Sequence, residues 1–401
     1  MRPLPYSVRR AALTTGKFRW LRMIRLRLPL FDRQLGGIPA SSKNLFMISP
    51  SFDPSILGLH IVRAGLEEGY RVVYFVNNKP PLSVKRQARR SRLNVEAYEQ
   101  KGQFVMVDAY SMLSGAESPE RCVVNPYDVS SVKKVLADLS SEKTLLVLDS
   151  LNSLLESLGG EVGHIMDVLN ATDASTLAAL FSSWTYMTEL LEEMENFFNG
   201  VFEVKPDPLF IVENQLRAKK ASWIAKARSL SFLVKVVSPS ELRVYLPKVV
   251  VVGPYNAGKT TLIHALAEDA VSVERMGTTV ALDHGSLDYK GFYMELFGTP
   301  GQPQFEPILD MMMNGAVGLI LVVDSADASS FERARELFKK CEGKAPMVVA
   351  ANKQDLESAI PPGELRARLK LPPSIPVVGC SAKNRVNIFL LLDILLNMLS
   401  T

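Results

Sequence analysis

Apolar residues in this chain gather into short, nearly unbroken runs separated by longer stretches with helical spacing. The runs Asn44–Ser49 (NLFMIS), Arg71–Val76 (RVVYFV), Phe104–Asp108 and Thr144–Leu148 predict strands buried on both faces. Leu209–Val212 and Phe232–Val237 predict two later strands, and Val249–Val252, Leu319–Asp324, Met347–Ala351 and Pro376–Cys380 continue the series. Between them, helical spacing covers Ser55–Glu68, Val132–Leu139, Thr176–Phe198, Thr260–Glu268 and Val386–Leu399. Within the third of these, Leu190, Leu191, Met194 and Phe197 or Phe198 fall on one side of a surface helix. Strands alternating with helices imply an α/β fold: mostly parallel sheets covered by helices on both faces, in three αβα layers. Ser238–Lys248 has the Pro and Ser punctuation of a boundary, so a short linker is expected there.

Composition narrows the class. At 401 residues, 47% apolar and 22% charged, the chain has the balance of a globular protein of two or three domains. Cys122, Cys341 and Cys380 stand far apart, which argues against a disulfide framework or a zinc site and fits a reducing, cytoplasmic setting. His60, His164, His264 and His284 likewise lack metal-ligand spacing. No apolar run reaches membrane-span length, and no cleavable signal follows the N-terminus. The net charge of +4 is uneven. Residues 1–30 hold eight Lys/Arg and no acid, so the remaining 371 residues, with 38 basic and 42 acidic groups, are net −4. The basic tail, which runs into KFRWLRMIRLRLPLF (Lys17–Phe31), has two readings. It is a contact to an anionic inner-membrane surface or nucleic acid, or an N-terminal element packed on the next domain with its arginines in solvent. Lys85–Arg92 (KRQARRSR) carries the same two readings, nucleic-acid or acidic-partner contact against a solvated helix face.

The candidate chemistry centres on VVVVGPYNAGKTT, Val249–Thr261. Gly253 to Thr260 fits G-x-x-x-x-G-K-[ST], with a buried strand before it and a helix after it. In such a loop the backbone N–H groups around Asn256, Ala257 and Gly258 and on to Thr261 surround the α- and β-phosphates. Lys259 reaches the β/γ oxygens, and the Thr260 hydroxyl sits on Mg2+. The positive end of the following helix points at the same phosphates.

Four further segments follow in order: GTTVALD (Gly277–Asp283), ELFGTPGQ (Glu295–Gln302), NKQD (Asn352–Asp355) and SAK (Ser381–Lys383). Five motifs in register over about 150 residues resemble a small GTPase domain of the prokaryotic Arf/Rab/MglA-like group. The resemblance implies GTP/GDP and Mg2+ as ligands, with Thr279, or Thr278 as the fallback, closing over the γ-phosphate and Mg2+ in a first switch. It implies that the Gly301 N–H senses the γ-phosphate and that Gln302 orients the attacking water. Asn352, Lys353 and Asp355 would read the base; the Asp355 carboxylate accepts N1–H and N2–H of guanine, a pattern adenine lacks. Ser381 and Ala382 would contact guanine O6, and Lys383 would flank the base. The acid that usually holds Mg2+ through water is Gly298 here, a departure shared with group members carrying LFGTPGQ; Pro303-Gln304 is a second departure. Arf proteins anchor through an N-terminal lipid and Rab and Ras proteins through a C-terminal cysteine; neither anchor is expected here, where no cysteine lies in the last ten residues. Met311-Met312-Met313 reads equally as a partner surface or as core.

Residues 31–246 contain FDRQLGGIP, NLFMIS, GLEEGYRVVYFV, GQFVMVDAY and LLVLDS. These segments resemble the KaiC-like branch of the RecA ATPases. In that family a Gly-x-Gly-Lys-Thr loop follows the first strand; here Pro50–Gly58 (PSFDPSILG) has no Lys, no Gly pair and two prolines. The paired catalytic glutamates are replaced by Asn77-Asn78, and only Asp149 stands in the place of the Mg2+-organising acid. A site without phosphate cradle, lysine or base implies a pseudo-ATPase. The expected organisation is therefore a basic tail (1–30), a degenerate KaiC/RecA-like domain (31–246) and a small GTPase domain (247–401), the two domains being P-loop-NTPase-type units. The expected function is a GTP-binding switch with slow hydrolysis, awaiting an activating partner that supplies an arginine. The first domain would act as effector, scaffold or oligomerisation unit, with self-association expected because RecA-like folds stack. A second reading is a nucleic-acid- or membrane-associated scaffold in which GTP is structural, and a third is a two-site NTPase.

Overall fold

The computed structural model describes residues 22–183, 188–207, 214–224, 230–274, 281–300 and 306–400. The chain forms two compact units, the first ending at Val244 and the second beginning at Tyr245.

In the first unit, β1 (Met23–Ile24) pairs antiparallel with β2 (Ile38–Pro39). The remaining strands up to the unit's C-terminal hairpin are β3 (Lys43–Ile48), β4 (Arg71–Val76), β5 (Phe104–Asp108), β6 (Cys122–Val123), β7 (Thr144–Leu148), β8 (Thr176–Ser182), β9 (Gly200–Pro206), β10 (Asn214–Ala221) and β11 (Ser231–Ser238). They lie in the order β11-β10-β9-β3-β8-β7-β4-β5-β6. From β9 to β6 every pairing is parallel. β10 and β11 add an antiparallel edge. The physical reason is in the sequence: β4, β7 and β8 are continuous apolar runs buried on both faces, whereas β11 alternates.

Two expectations need correction, and a third cannot be placed among the described residues. Thr176–Phe198 is not one helix: Thr176–Ser182 is the central strand β8 and the helix is Thr188–Phe197. The five-residue apolar run Leu177–Phe181, buried throughout, has no period to separate strand from helix. The expected strand 209–212 lies outside the described residues, while β9 and β10 flank that segment. Ser238–Lys248 is no linker. Pro239-Ser240 turns β11 into β12 (Glu241–Val252), one strand within which the boundary between the units falls. Along β12 the burial alternates through Leu242, Val244 and Leu246, then becomes continuous over Val249–Val252. The part of the basic tail that is described, residues 22–30, belongs to the first unit. Ile24, Leu26 and Leu28 are fully buried and alternate with exposed Arg25 and Arg27.

The second unit contains the end of β12, β13 (Val271–Glu274), β14 (Ala281–Tyr289), β15 (Phe292–Gly298), β16 (Gly318–Asp324), β17 (Met347–Asn352) and β18 (Val377–Gly379), in the order β13-β14-β15-β12-β16-β17-β18. β12, β16, β17 and β18 are parallel, and β13–β14–β15 are antiparallel. The helix Ile388–Leu399 buries Ile388, Leu391, Leu392, Leu395 and Leu396, the one-sided spacing of a sheet-covering helix. The methionine triplet divides: Met312 and Met313 join the core, and Met311 is exposed. No helix among the described residues is long and apolar enough to cross a membrane.

Candidate functional site

Two strand–loop–helix turns in this chain stand where a phosphate loop would be, and their helix N-termini are finished in opposite ways. In the second unit β12 leads into Gly253, where a Cβ would lie 2.2 Å from the carbonyl oxygen of Val322 on the neighbouring strand. Asn256 and Gly258 take left-handed backbone (φ 59° and 96°). A Cβ on Gly258 would come within 2.3 Å of Asn352 Nδ2, so both glycines are required by close approach. The helix Lys259–Leu266 then starts with no side-chain cap, so its N-cap residue, Gly258, offers no side chain to the N–H groups of the first turn. Such an end is a ready anion site.

Lys259 is nearly buried and its Nζ donates to the carbonyl of Pro254 at 2.7 Å. Burial lowers its pKa to about 8, with the charge of Asp283 opposing the shift. A desolvated ammonium held against one carbonyl is poised to prefer phosphate oxygens. Thr260 and Thr261 are exposed on the first turn, and the Thr260 hydroxyl donates to Asp283 Oδ2 at 2.5 Å.

The segment Asn352–Asp355 is locked to this loop by one side chain. Asn352, at the end of β17, donates from Nδ2 to the Ala257 carbonyl at 2.9 Å and accepts the Ala382 N–H on Oδ1 at 2.9 Å. The structure thus brings Gly253, Asn256, Ala257, Gly258, Lys259 and Thr260 together with Asn352, Ser381 and Ala382. Lys353, in left-handed backbone, pairs with Asp324 at 2.6 Å, and the Gln354 N–H donates to the Cys380 carbonyl at 3.1 Å. Asp355 is exposed, and the Ser381 hydroxyl, then the charges of Lys383 and Lys353, hold its carboxyl below the ordinary value. Thr279, Gly301 and Gln302, together with the fallback Thr278 and the Pro303-Gln304 departure, lie outside the described residues. The donor set fits a nucleotide with a magnesium ion. Glycine-lined backbone forms a cradle, a buried ammonium lies against it, and a hydroxyl and a carboxylate are hydrogen-bonded to each other beside it, the groups that would hold phosphates and the ion.

In the first unit the corresponding turn is closed by the chain itself. Asp53 caps the helix Pro54–Glu67, its carboxylate accepting the Ser55 N–H at 2.9 Å, in the place an anionic phosphate would take. Gly58, the lone glycine of the stretch, is used for packing: a Cβ there would meet Leu180 Cδ1 at 2.9 Å and Tyr74 Oη at 3.1 Å. Asp149 is buried, accepts the Tyr74 hydroxyl and pairs with Lys79 at 2.9 Å; Lys79 also donates to the Ser55 hydroxyl. Ser150 caps the helix Leu151–Ser157. Asn77 donates to the Ser150 carbonyl at 3.0 Å. The basic run is partly consumed inside this unit, Lys85 pairing with Glu99 and Glu120 at 2.9 Å each and Arg89 with Glu96 at 2.8 Å.

Sequence patterns missed Lys79, Tyr74 and Asp283. The last had a readable signal. Lys290 and Gly291, both at positive φ (50° and 86°), make a two-residue hairpin turn. Counting back from Tyr289 opposite Phe292 places position 283 opposite position 298.

Comparisons with known proteins fall on the same two regions. Residues 234–399 match the ADP-ribosylation factor family, and residues 25–183 match the KaiC ATPase family. ADP-ribosylation factor-like protein 3 of Chlamydomonas reinhardtii is 33% identical over 146 residues, 34% of this chain and 81% of that protein. Uncharacterized protein MJ1339 of Methanocaldococcus jannaschii is 37% identical over 110 residues, 27% of this chain and 71% of that protein. Among solved structures, flagellar accessory protein FlaH of Methanocaldococcus jannaschii aligns with a TM-score of 0.45 at 15% identity, covering 56% of this chain and 99% of that one.

Proposed function

The chain belongs to the ADP-ribosylation factor family through residues 234–399 and carries a KaiC-like domain at residues 25–183. On that premise we propose that it is a GTP-binding switch that hydrolyses GTP slowly, coupled to a KaiC-like domain that has lost its own nucleotide chemistry. The observation that carries this reading is the contrast between the two helix N-termini. One is uncapped behind a glycine-formed loop and joined by Asn352 to the base motif. The other is capped by the carboxylate of Asp53 and backed by the Lys79–Asp149 pair. An anion is attracted to the first end and repelled from the second.

In the C-terminal site Lys259 exchanges the Pro254 carbonyl for the β/γ-phosphate oxygens, and the first N–H groups of the helix Lys259–Leu266 hold the phosphates. Asp355 selects guanine over adenine by accepting two hydrogen bonds at once. Thr279 and the Gly301 N–H report the γ-phosphate, and Gln302 positions water for in-line attack. Magnesium, when bound at Thr260, neutralises charge that builds on the phosphate oxygens. With no arginine assigned to the reacting phosphate, turnover stays slow until a partner supplies one, a contribution of about 10³–10⁵ in rate. The KaiC-like domain then serves as effector, scaffold or oligomerisation unit.

The test is nucleotide binding and hydrolysis by the full chain, GTP against ATP with Mg2+, alongside Lys259→Ala and Gln302→Leu. Tight GTP binding, no ATP binding, loss of binding in Lys259→Ala and slowed hydrolysis alone in Gln302→Leu are expected. ATP hydrolysis surviving in Lys259→Ala would reveal a working second site and refute the pseudo-ATPase assignment.

A further inference from the structure

Position 298 is where a small GTPase carries the carboxylate that holds Mg2+ through water, and this chain has glycine there. The space is not empty. A Cβ built on Gly298 would lie 3.0 Å from Asp283 Cβ and 3.0 Å from Asp283 Oδ2. Asp283 is on β14, the strand paired antiparallel with β15, and the register that sets His284 opposite Phe297 sets residue 283 opposite 298. Residues directly opposite in such a pair share a face. The acid missing from one strand is therefore present on the other, pointing into the same volume.

The carboxylate is also held for a purpose. Asp283 is buried, at 6% exposure. Its Oδ2 accepts the Thr260 hydroxyl at 2.5 Å, and its Oδ1 accepts the Ser272 hydroxyl at 2.6 Å, with His264 Nε2 3.2 Å behind Ser272. Thr260 is the phosphate-loop residue whose hydroxyl belongs on the metal. A buried carboxylate favours cationic company, and Lys259 supplies part of it in the nucleotide-free chain. Once Lys259 turns to the phosphates, the carboxylate next to Thr260 is left for a divalent cation and its water, the oxygen-only, partly hydrated environment Mg2+ takes.

From this geometry we infer that Asp283 replaces the acid at position 298 as the carboxylate that organises Mg2+ with Thr260. The inference rests on the GTP-switch reading. Ser272 is its positioning residue, fixing the carboxylate as outer-shell partners fix metal ligands.

The experiment uses the full-length chain loaded with a fluorescent N-methylanthraniloyl GDP in EDTA, and follows its release as Mg2+ is titrated in. Three proteins are compared: wild type, Asp283→Asn, and the exchange variant carrying Asp283→Gly with Gly298→Asp. Each protein's release rate in EDTA serves as its own baseline. Asp283→Asn should need on the order of 10–100-fold more Mg2+ to slow release. The exchange variant, which returns a carboxylate to the same space from the other strand, should recover most of that sensitivity. An unchanged Mg2+ requirement in Asp283→Asn overturns the inference. So does equal weakening with and without Mg2+, which would make Asp283 a loop brace. If the wild-type chain fails to bind the nucleotide at all, the switch reading itself falls, and the inference falls with it.

Discussion

Removing the Asn352 side chain tests whether the C-terminal site is one preorganised unit. Asn352 is 3% exposed and bridges two loops that are 95 and 30 residues away in sequence, holding Ala257 O and Ala382 N–H, each at 2.9 Å. In Asn352→Ala both backbone groups lose their partner while their surroundings remain closed, since Ala257 and Ala382 are buried. Each buried group left unsatisfied costs about 1–3 kcal/mol, so the pair sums to roughly 2–6 kcal/mol. Asn352→Asp is the control of nearly equal shape. It keeps an acceptor for the Ala382 N–H but sets a carboxylate oxygen against the Ala257 carbonyl. Urea unfolding of the nucleotide-free chain, followed together with amide exchange at Ala382, reads both ends of the bridge. Asn352→Ala should lower the transition of the C-terminal unit and deprotect Ala382, whereas Asn352→Asp should lower it and leave Ala382 protected. Guanine-nucleotide release should quicken by about tenfold for each 1.4 kcal/mol of preorganisation lost. A transition within about 0.5 kcal/mol of wild type, with Ala382 still protected in Asn352→Ala, would refute the reasoning, because a side chain that holds two buried groups cannot be that dispensable.

Three further outcomes are expected. His60 is buried with Nε2–H donated to the Leu26 carbonyl at 2.6 Å and Nδ1 accepting the Leu242 N–H at 3.1 Å, and burial lowers its pKa to about 4. The unfolded chain therefore takes up its proton first, so stability is complete above about pH 6.5 and falls by roughly 3 kcal/mol as pH drops to 4. Urea midpoints of wild type against His60→Gln at pH 7.5 and 4.5 check this, and equal acid sensitivity would contradict it. Lys259, at about 8, must be protonated to meet phosphate, so guanine-nucleotide affinity should weaken between pH 7 and 9, approaching tenfold per unit above pH 8. Lys259→Arg, which stays charged, should show a flat profile in the same titration. Deleting residues 1–30 removes Ile24, Leu26 and Leu28 from the core, at about 1.5–3 kcal/mol each, and should lower the thermal midpoint of the first unit markedly. Deleting residues 1–21 spares those side chains, so its effect on salt-dependent binding to anionic vesicles isolates the electrostatic reading of the tail.

Local pattern carried much of this molecule into view from the amino-acid order alone. The α/β class followed from the alternation of apolar runs with helical spacing, because parallel strands buried on both faces need unbroken apolar stretches. The phosphate loop at Gly253–Thr260 and the base motif at Asn352–Asp355 are recognisable for a related reason. Backbone wrapped closely around a ligand tolerates few residue types at fixed spacing. The absence of a lysine and a glycine pair from Pro50–Gly58 was readable too.

Tertiary structure decided what depends on distance through space. Thr176–Ser182 became a strand because β3 and β7 pair with both of its edges while the helices Pro54–Glu67 and Leu151–Ser157 pack against it, which no local period records. Residues 22–28 entered the core because β1 pairs with β2 and Leu26 accepts from His60. Lys79 reached Asp149 across 70 residues to fill the vacant cradle with the chain's own charges. Asp283 met Thr260 because a two-residue turn fixed a register, and a register converts sequence neighbours of one strand into side-chain neighbours of another.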